Sequence, residues 1–313
     1  VQAQGAPPHL VDVTRLGEPG GLDQIYLDDK GWIHVGPLVT HNVGVASELL
    51  VERGFPLAQA CWQVGTPQLR NRATIAGNLV TASPANDTIT VLSALDARLT
   101  LRSTQGERRI PLAEFYRGVR RTVLDADELV TDIAFPAMQA NELGVFVKLG
   151  LRRSHAIAVV NAAVVLSFEA DTVRRARITL GSVAPTIIRA PEAEQAIVGS
   201  SLVPQSINEV AALASEAASP IDDLRSGALY RRDMVQVLVR RALTALRNRT
   251  EREGFSTAPP MLWGGGNGHF EALAGGPVSH HLDGREPIEF TVNGESVAVT
   301  GANDKTLLDM LRA

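Results

Sequence analysis

The stretch QLRNRATIAGNLVTASPAND, Gln68–Asp87, decides how the rest of the chain is read. Its centre, Thr74-Ile75-Ala76-Gly77-Asn78, predicts a small-residue turn, and Ser83-Pro84-Ala85-Asn86-Asp87 opens a helix. Small side chains let an anionic group approach backbone N–H donors closely. A helix N-terminus adds uncompensated donors and the positive end of a dipole. Two readings fit: the diphosphate site of a nucleotide cofactor, or an ordinary strand-to-helix turn with a glycine, since short glycine motifs are common. Asp87 is suited to hold cofactor hydroxyls or to cap the helix, a task Ser83 can share. Asn78 is suited to contact a diphosphate or to satisfy the turn.

Upstream, Leu10–Asp12 and Trp32–Val35 read as short strands, and Thr40 caps a helix through Val43–Leu50. Leu57–Trp62 continues as helix until Gly65-Thr66-Pro67 stops it. Downstream, Thr88–Leu95 is helical, Leu99–Ser103 and Arg108–Pro111 form a hairpin around Gln105-Gly106, and Glu128–Phe135 is a strand closed by Pro136. A second unit begins near Gly144 with strands at Val145–Leu149, Ala162–Phe168 and Ala176–Val183. Pro191 opens a short helix that Gly199 ends. Ser206 and Glu209 have capping-box spacing. Tyr230–Arg247 is a long amphipathic helix with Met234, Val237, Leu238, Leu243 and Leu246 on one side. Strands followed by helices predict an α+β layer domain. Thr250–Pro287, with WGGGNGH, AGGP and a double His, reads as a linker. Ile288–Val292, Asn293-Gly294 and Val297–Thr300 form a hairpin, and a helix starts at Asp304–Leu308.

Composition narrows the function. The chain has 313 residues, 45% hydrophobic content and a net charge of -4. That is a sizeable core over roughly two domains, with no basic excess for nucleic acid. No apolar run is long enough to span a bilayer, and VQAQGAPPHL is no signal peptide. The single Cys61 forms neither an internal disulfide nor an iron–sulfur site by itself, and its apolar neighbours predict a buried small hydrophobe. A reduced, cytoplasmic setting fits.

Other chemistry is sparse. Arg70, Arg72, Arg152 and Arg153 either balance phosphate charge or are solvated, and solvation is the commoner outcome. Arg231, Arg232, Arg240 and Arg241 read as the solvated face of the long helix. His9, His34, His41, His155 and His269 are dispersed and His280-His281 are adjacent, a poor metal pattern. Asp28-Asp29 and Asp222-Asp223 read as solvated loop acids.

RNRATIAGNLVTASPANDTITVLSALDA (Arg70–Ala97) resembles the FAD-binding subunits of the molybdenum hydroxylases, the xanthine dehydrogenase and aerobic carbon monoxide dehydrogenase group. The resemblance continues through RIPLAEFYRGVRRTVLDADELVTDIAFP, VKLGLRRSHAIAVVNAAVVL and RSGALYRRDMVQVLVRRAL, covering nearly all of 10–247 in order. It implies a p-cresol-methylhydroxylase-type FAD domain (1–140), with an N-terminal part missing, and a flavoprotein C-terminal domain (141–249) of three strands plus helices. A linker (250–287) would follow.

By position, Thr74, Ile75, Ala76, Gly77 and Asn78 match the family's second diphosphate loop. Ser83 and Asp87 match polar residues holding the ribityl or diphosphate region. Leu129 matches an apolar contact near the flavin, and Lys148 a basic residue near the isoalloxazine. Ile157 falls where relatives place a tyrosine or an aliphatic residue against the ring. Two departures stand out. Ala76 replaces a glycine, and an earlier glycine-rich loop is absent, which predicts an N-terminally truncated or processed chain. EFTVNGESVAVTGANDKTLLDMLRA (Glu289–Ala313) resembles the start of a plant-type 2Fe–2S domain (288–313) and stops before its cysteine-rich loops.

The resemblance implies an FAD-binding electron-transfer subunit. It would take electrons from 2Fe–2S clusters beside a large molybdopterin-binding subunit and pass them to an external acceptor. The alternatives are a self-contained FAD-dependent oxidase or reductase, and a cofactor-free scaffold with a vestigial site.

Overall fold

The computed structural model describes residues 11–17, 21–152, 154–256, 259, 261–262, 287–302 and 305–312, which fall into two compact units divided after Leu262. The expected strand at Leu10–Asp12 is not found: Leu10 lies outside the described residues, and Val11–Val13 are not extended into a sheet. The first strand is β1 (Ile25–Leu27), which pairs antiparallel with β2 (Trp32–Val35). Asp28 makes that hairpin, its Oδ1 accepting from Lys30 N at 3.0 Å and Trp32 N at 2.7 Å.

A run of short helices follows, punctuated by hydroxyl caps. Thr40, Ser47 and Thr66 accept from Val43, Leu50 and Leu69 N–H, at the heads of α1 (His41–Ala46), α2 (Glu48–Arg53) and α4 (Pro67–Arg70). Between them α3 (Phe55–Gln63) begins at Gly54 with Pro56 in its first turn. The helix expected to run from Thr40 through Leu50 is therefore split, because Ser47 takes an extended conformation and caps a new one. Thr74 caps α5 (Ile75–Val80), so the expected turn at Thr74–Asn78 is itself a helix N-terminus. Next comes α6 (Asp87–Ala94). Asn86 stands at its N-cap with no side-chain cap, so neither Asp87 nor Ser83 caps it.

The remaining strands of this half are β3 (Arg98–Ser103), β4 (Gly106–Pro111), β5 (Tyr116–Gly118), β6 (Arg121–Thr122) and β7 (Leu129–Pro136). β3, β4 and β7 join β1 and β2 in a five-stranded sheet of order β1-β2-β7-β3-β4, every pairing antiparallel, and β5 pairs with β6. The second half holds β8 (Glu142–Gly150), β9 (Ala158–Glu169), β10 (Thr172–Gly181) and a two-residue edge, β11 (Ile188–Arg189), in the order β11-β10-β9-β8.

This second sheet is covered on both faces, and that positions the site. Along β9, Ala163 and Val165 join the core of the first half, while Ala162, Val164 and Leu166 join the core of the second. Phe146 and Val145 of β8 divide the same way. With a side-chain period of two, Lys148 shares the face of Phe146, and Asn161 that of Ala163. The opposite face packs on α7 (Pro191–Ile197), α8 (Pro204–Glu216) and α9 (Ala228–Asn248).

Two further expectations change. Ser206 lies inside α8, bonded to Ser200 Oγ and Val203 C=O, because Pro204 already starts the helix; no capping box forms. Arg231 is not on a solvated face of α9. It is 3% exposed, donates to Ser182 and Val159 C=O, and pairs with Asp223 at 2.6 Å. Asp223 is accordingly a structural rather than a solvated acid, while Asp222 is exposed as expected, its Oδ1 accepting from Ala228 N at the head of α9.

Within the interval expected as a linker, described residues pack on the first helices. Glu251 C=O accepts from Gln59, Arg252 donates to Val51 C=O, and Phe255 meets Phe55 edge-on. WGGGNGH, AGGP and His280-His281 lie outside the described residues, as do His9, Arg153 and His269. In the second unit, β12 (Ile288–Val292) pairs with β13 (Glu295–Val299) through Asn293 and Gly294, both at positive φ, followed by α10 (Leu307–Arg312). Among the described residues no helix is long and apolar enough to cross a membrane.

Candidate functional site

The head of α5 is capped from within the chain, with the exposed Gly77 in its first turn. The Thr74 hydroxyl accepts from Gly77 N–H at 3.0 Å, Ile75 N–H goes to Val39 C=O and Asn78 N–H to Thr74 C=O. Ile75 and Ala76 are buried, whereas Gly77 is exposed. A Cβ on Gly77 would crowd the Thr74 cap oxygen at 2.9 Å and meet nothing else within 4 Å, so the turn is open to solvent but tight for a side chain. Ala76 sits within the helix and not among the left-handed residues, so alanine at this position carries no backbone strain.

Asn78 ties this helix end to the next. Its side-chain oxygen accepts from the Thr88 hydroxyl at 2.5 Å, and its carbonyl accepts from Asn86 Nδ2 at 2.6 Å. Ser83 shapes the intervening loop by accepting from Ala85 N–H at 3.3 Å. The loop 83–86 is thereby held against α5.

A buried charge network begins one residue further on. Asp87 Oδ2 meets Lys148 Nζ at 2.5 Å, and both side chains are 6% exposed. Lys148 Nζ also donates to Gln63 C=O at 3.1 Å. Asp87 Oδ1 accepts from Asn161 Nδ2 at 2.9 Å, and Asn161 Oδ1 accepts from the Thr90 hydroxyl at 2.8 Å. Burial raises the Asp87 carboxyl above its ordinary range, opposed by Lys148 and by the Asn161 hydrogen bond.

Sequence reading found Asp87 and Lys148 but not Asn161 or Thr90. The signal was a lone amide inside the apolar run AVVNAAVVLSF, since a buried polar side chain needs a partner. Leu129, at the start of β7, is 65% exposed, and Ile157 is 61% exposed; neither belongs to this polar network.

Arg70 is not solvated. It is 4% exposed, donates to Asn42 Oδ1 and to the Trp62 and Val64 carbonyls, and lies 4.5 Å from the Trp62 ring centroid. Beside it His41 is fully buried with both ring nitrogens unpartnered, and burial followed by the Arg70 charge lowers its pKa to about 4. Cys61 is fully buried, and burial pushes its thiol far above its ordinary value, which makes it an inert packing residue. Among the described residues no cluster of His, Cys, Asp or Glu suits a metal ion.

The donor set fits one part of a dinucleotide site. An uncovered glycine at a helix end admits phosphate oxygens, and a buried ammonium held through two bonds retains a third donor. Residues 2–138 match the FAD binding domain in molybdopterin dehydrogenase, and residues 146–246 match the CO dehydrogenase flavoprotein C-terminal domain. Fold and site together define an FAD-dependent oxidoreductase component.

The chain is 30% identical over 239 residues to the carbon monoxide dehydrogenase medium chain of Hydrogenophaga pseudoflava, covering 76% of this chain and 82% of that one. It is 32% identical over 240 residues to the nicotine 6-hydroxylase medium subunit of Paenarthrobacter nicotinovorans, covering 76% and 83%. A solved carbon monoxide dehydrogenase from Hydrogenophaga pseudoflava, lacking the Mo-pyranopterin moiety of its cofactor, superposes with a TM-score of 0.70 at 31% identity, over 73% and 79% of the two chains. The chain belongs to the FAD-binding medium chains of the molybdenum hydroxylases, the carbon monoxide dehydrogenase and xanthine dehydrogenase type.

Proposed function

We propose that this chain is the electron-transfer flavoprotein of a molybdenum hydroxylase complex, taking electrons from 2Fe–2S clusters and delivering them to an external acceptor. The observation that carries this reading is the match to medium chains along three quarters of its length, 76% for the Hydrogenophaga protein. Bound FAD supplies reversible acceptance of electrons, which no side chain of the network offers.

The residues divide the remaining work. Thr74, Ile75, Ala76, Gly77 and Asn78 receive the diphosphate at the head of α5, where small side chains leave the backbone accessible. Ser83 and Asp87 border the ribityl or diphosphate region. Lys148 places positive charge beside the flavin ring and favours added negative charge there electrostatically. Leu129 and Ile157, both exposed apolar side chains, cover the ring and keep water from it. The partners are a molybdopterin-binding large subunit and a 2Fe–2S domain or subunit. The hairpin β12–β13 and helix α10 are read as the start of such a domain within this chain.

The test is co-purification of the full protein with its partner subunits. The expected preparation carries stoichiometric flavin that substrate bleaches only when the molybdenum-bearing subunit is present. Bleaching by substrate without that subunit would overturn the electron-transfer assignment.

A further inference from the structure

Lys148, Asn161 and Gly181 occupy one row across three adjacent strands: Lys148 pairs with Asn161 between β8 and β9, and Asn161 with Gly181 between β9 and β10. They lie on the sheet face that meets α6. Gly181 is required for space. A Cβ there would come within 2.1 Å of Asn161 Oδ1 and 2.6 Å of Thr90 Oγ1. The row is therefore shaped around the Asn161 amide.

The chain of bonds has a direction. Asn161 and Thr90 are fully buried, and Thr179, also buried, donates its hydroxyl to Thr90 C=O at 2.7 Å. Thr90 gives its hydroxyl proton to Asn161 Oδ1 and so fixes which end of the amide faces Asp87. Asn161 Nδ2 then occupies Asp87 Oδ1, which leaves Oδ2 for Lys148. A primary ammonium has three donors. Asp87 and the Gln63 carbonyl take two of them, which leaves one donor uncommitted.

We propose that Asn161, oriented by Thr90, is a positioning residue that locks the Asp87 carboxylate and through it aims the one uncommitted donor of Lys148. The inference rests on the reading that Lys148 borders the flavin. It adds that the strength of that interaction is set by two residues buried behind it. A merely structural Asn161 would fill its site and satisfy Asp87 without governing Lys148.

The test compares Asn161→Ala, Thr90→Val and Thr90→Ser in the full protein by two readouts. The first is the rate of amine-specific labelling of Lys148 in flavin-stripped protein, followed by mass spectrometry. Asn161→Ala and Thr90→Val are expected to raise it at least tenfold, and Thr90→Ser, which keeps the hydroxyl, to restore it. The second is the flavin potential in the reconstituted protein. A tenfold loss of preference for reduced over oxidised flavin corresponds to ~30 mV for a two-electron couple.

Unchanged labelling and potential in a variant that only unfolds more easily would overturn the proposal, as would faster labelling at unchanged potential. If Asn161→Ala does not fold, the Thr90 pair decides alone. The labelling arm needs no flavin. A protein that binds no FAD would fail the functional reading, while labelling would still support or overturn the locking role of Asn161.

Discussion

Asp87 and Lys148 are the two charges whose removal is most informative. Both side chains are 6% exposed and they lie 2.5 Å apart. Removing either leaves an uncompensated buried charge, a cost of about 3–5 kcal/mol, whereas removing both leaves none. Asp87→Asn and Lys148→Met should each destabilise by that amount, and the double variant by less than either, in denaturant titrations with an unchanged slope. Additive losses would contradict the pair. His41 gives a pH signature. Its folded pKa is about 4 against an ordinary 6.5. Above pH 6.5 both states are neutral and the residue has no effect. As pH falls from there towards 4, the unfolded chain binds a proton that the folded chain does not, and stability drops by roughly 3 kcal/mol. His41→Gln should flatten that part of the stability–pH curve.

At the scale of elements, hydroxyl caps and buried polar strands do the positioning. Thr74→Ala removes the cap of α5 and should cost about 0.5–2 kcal/mol, with Thr74→Ser close to wild type in thermal unfolding. In α9, Arg231→Met strands the Val159 and Ser182 carbonyls and should cost on the order of 3 kcal/mol by the same measurement. These elements also show what sequence reading reaches. The strands of the second sheet, the hairpin at Gln105-Gly106 and the long helix were legible because hydrophobic period and turn chemistry are local. Ser47 was passed over because a helix-compatible pattern continued across it, and only backbone conformation turned it into a cap. Arg231 read as surface because charge predicts exposure unless its partner is known, and Asp223 lies eight residues away in a loop.

For the whole molecule, the family was legible from four ordered segments, whereas the link between the two halves was not. Asn161 joins Asp87 across 74 residues, and Lys148 meets Asp87 across 61, pairings that no local pattern encodes. Topology supplies them by placing α6 on a sheet that each half covers on one side. In the proposed function the head of α5 and the Lys148 row belong to one flavin site. The most direct test is the flavin content of the purified full protein and of its Gly77→Val variant. The account predicts equimolar FAD in the parent. In the variant it predicts loss of FAD in protein that still folds with a lowered unfolding midpoint, since the added side chain fills the exposed side of the turn and crowds the Thr74 cap oxygen. A parent protein without flavin, or a folded variant that keeps it in full, would contradict the account.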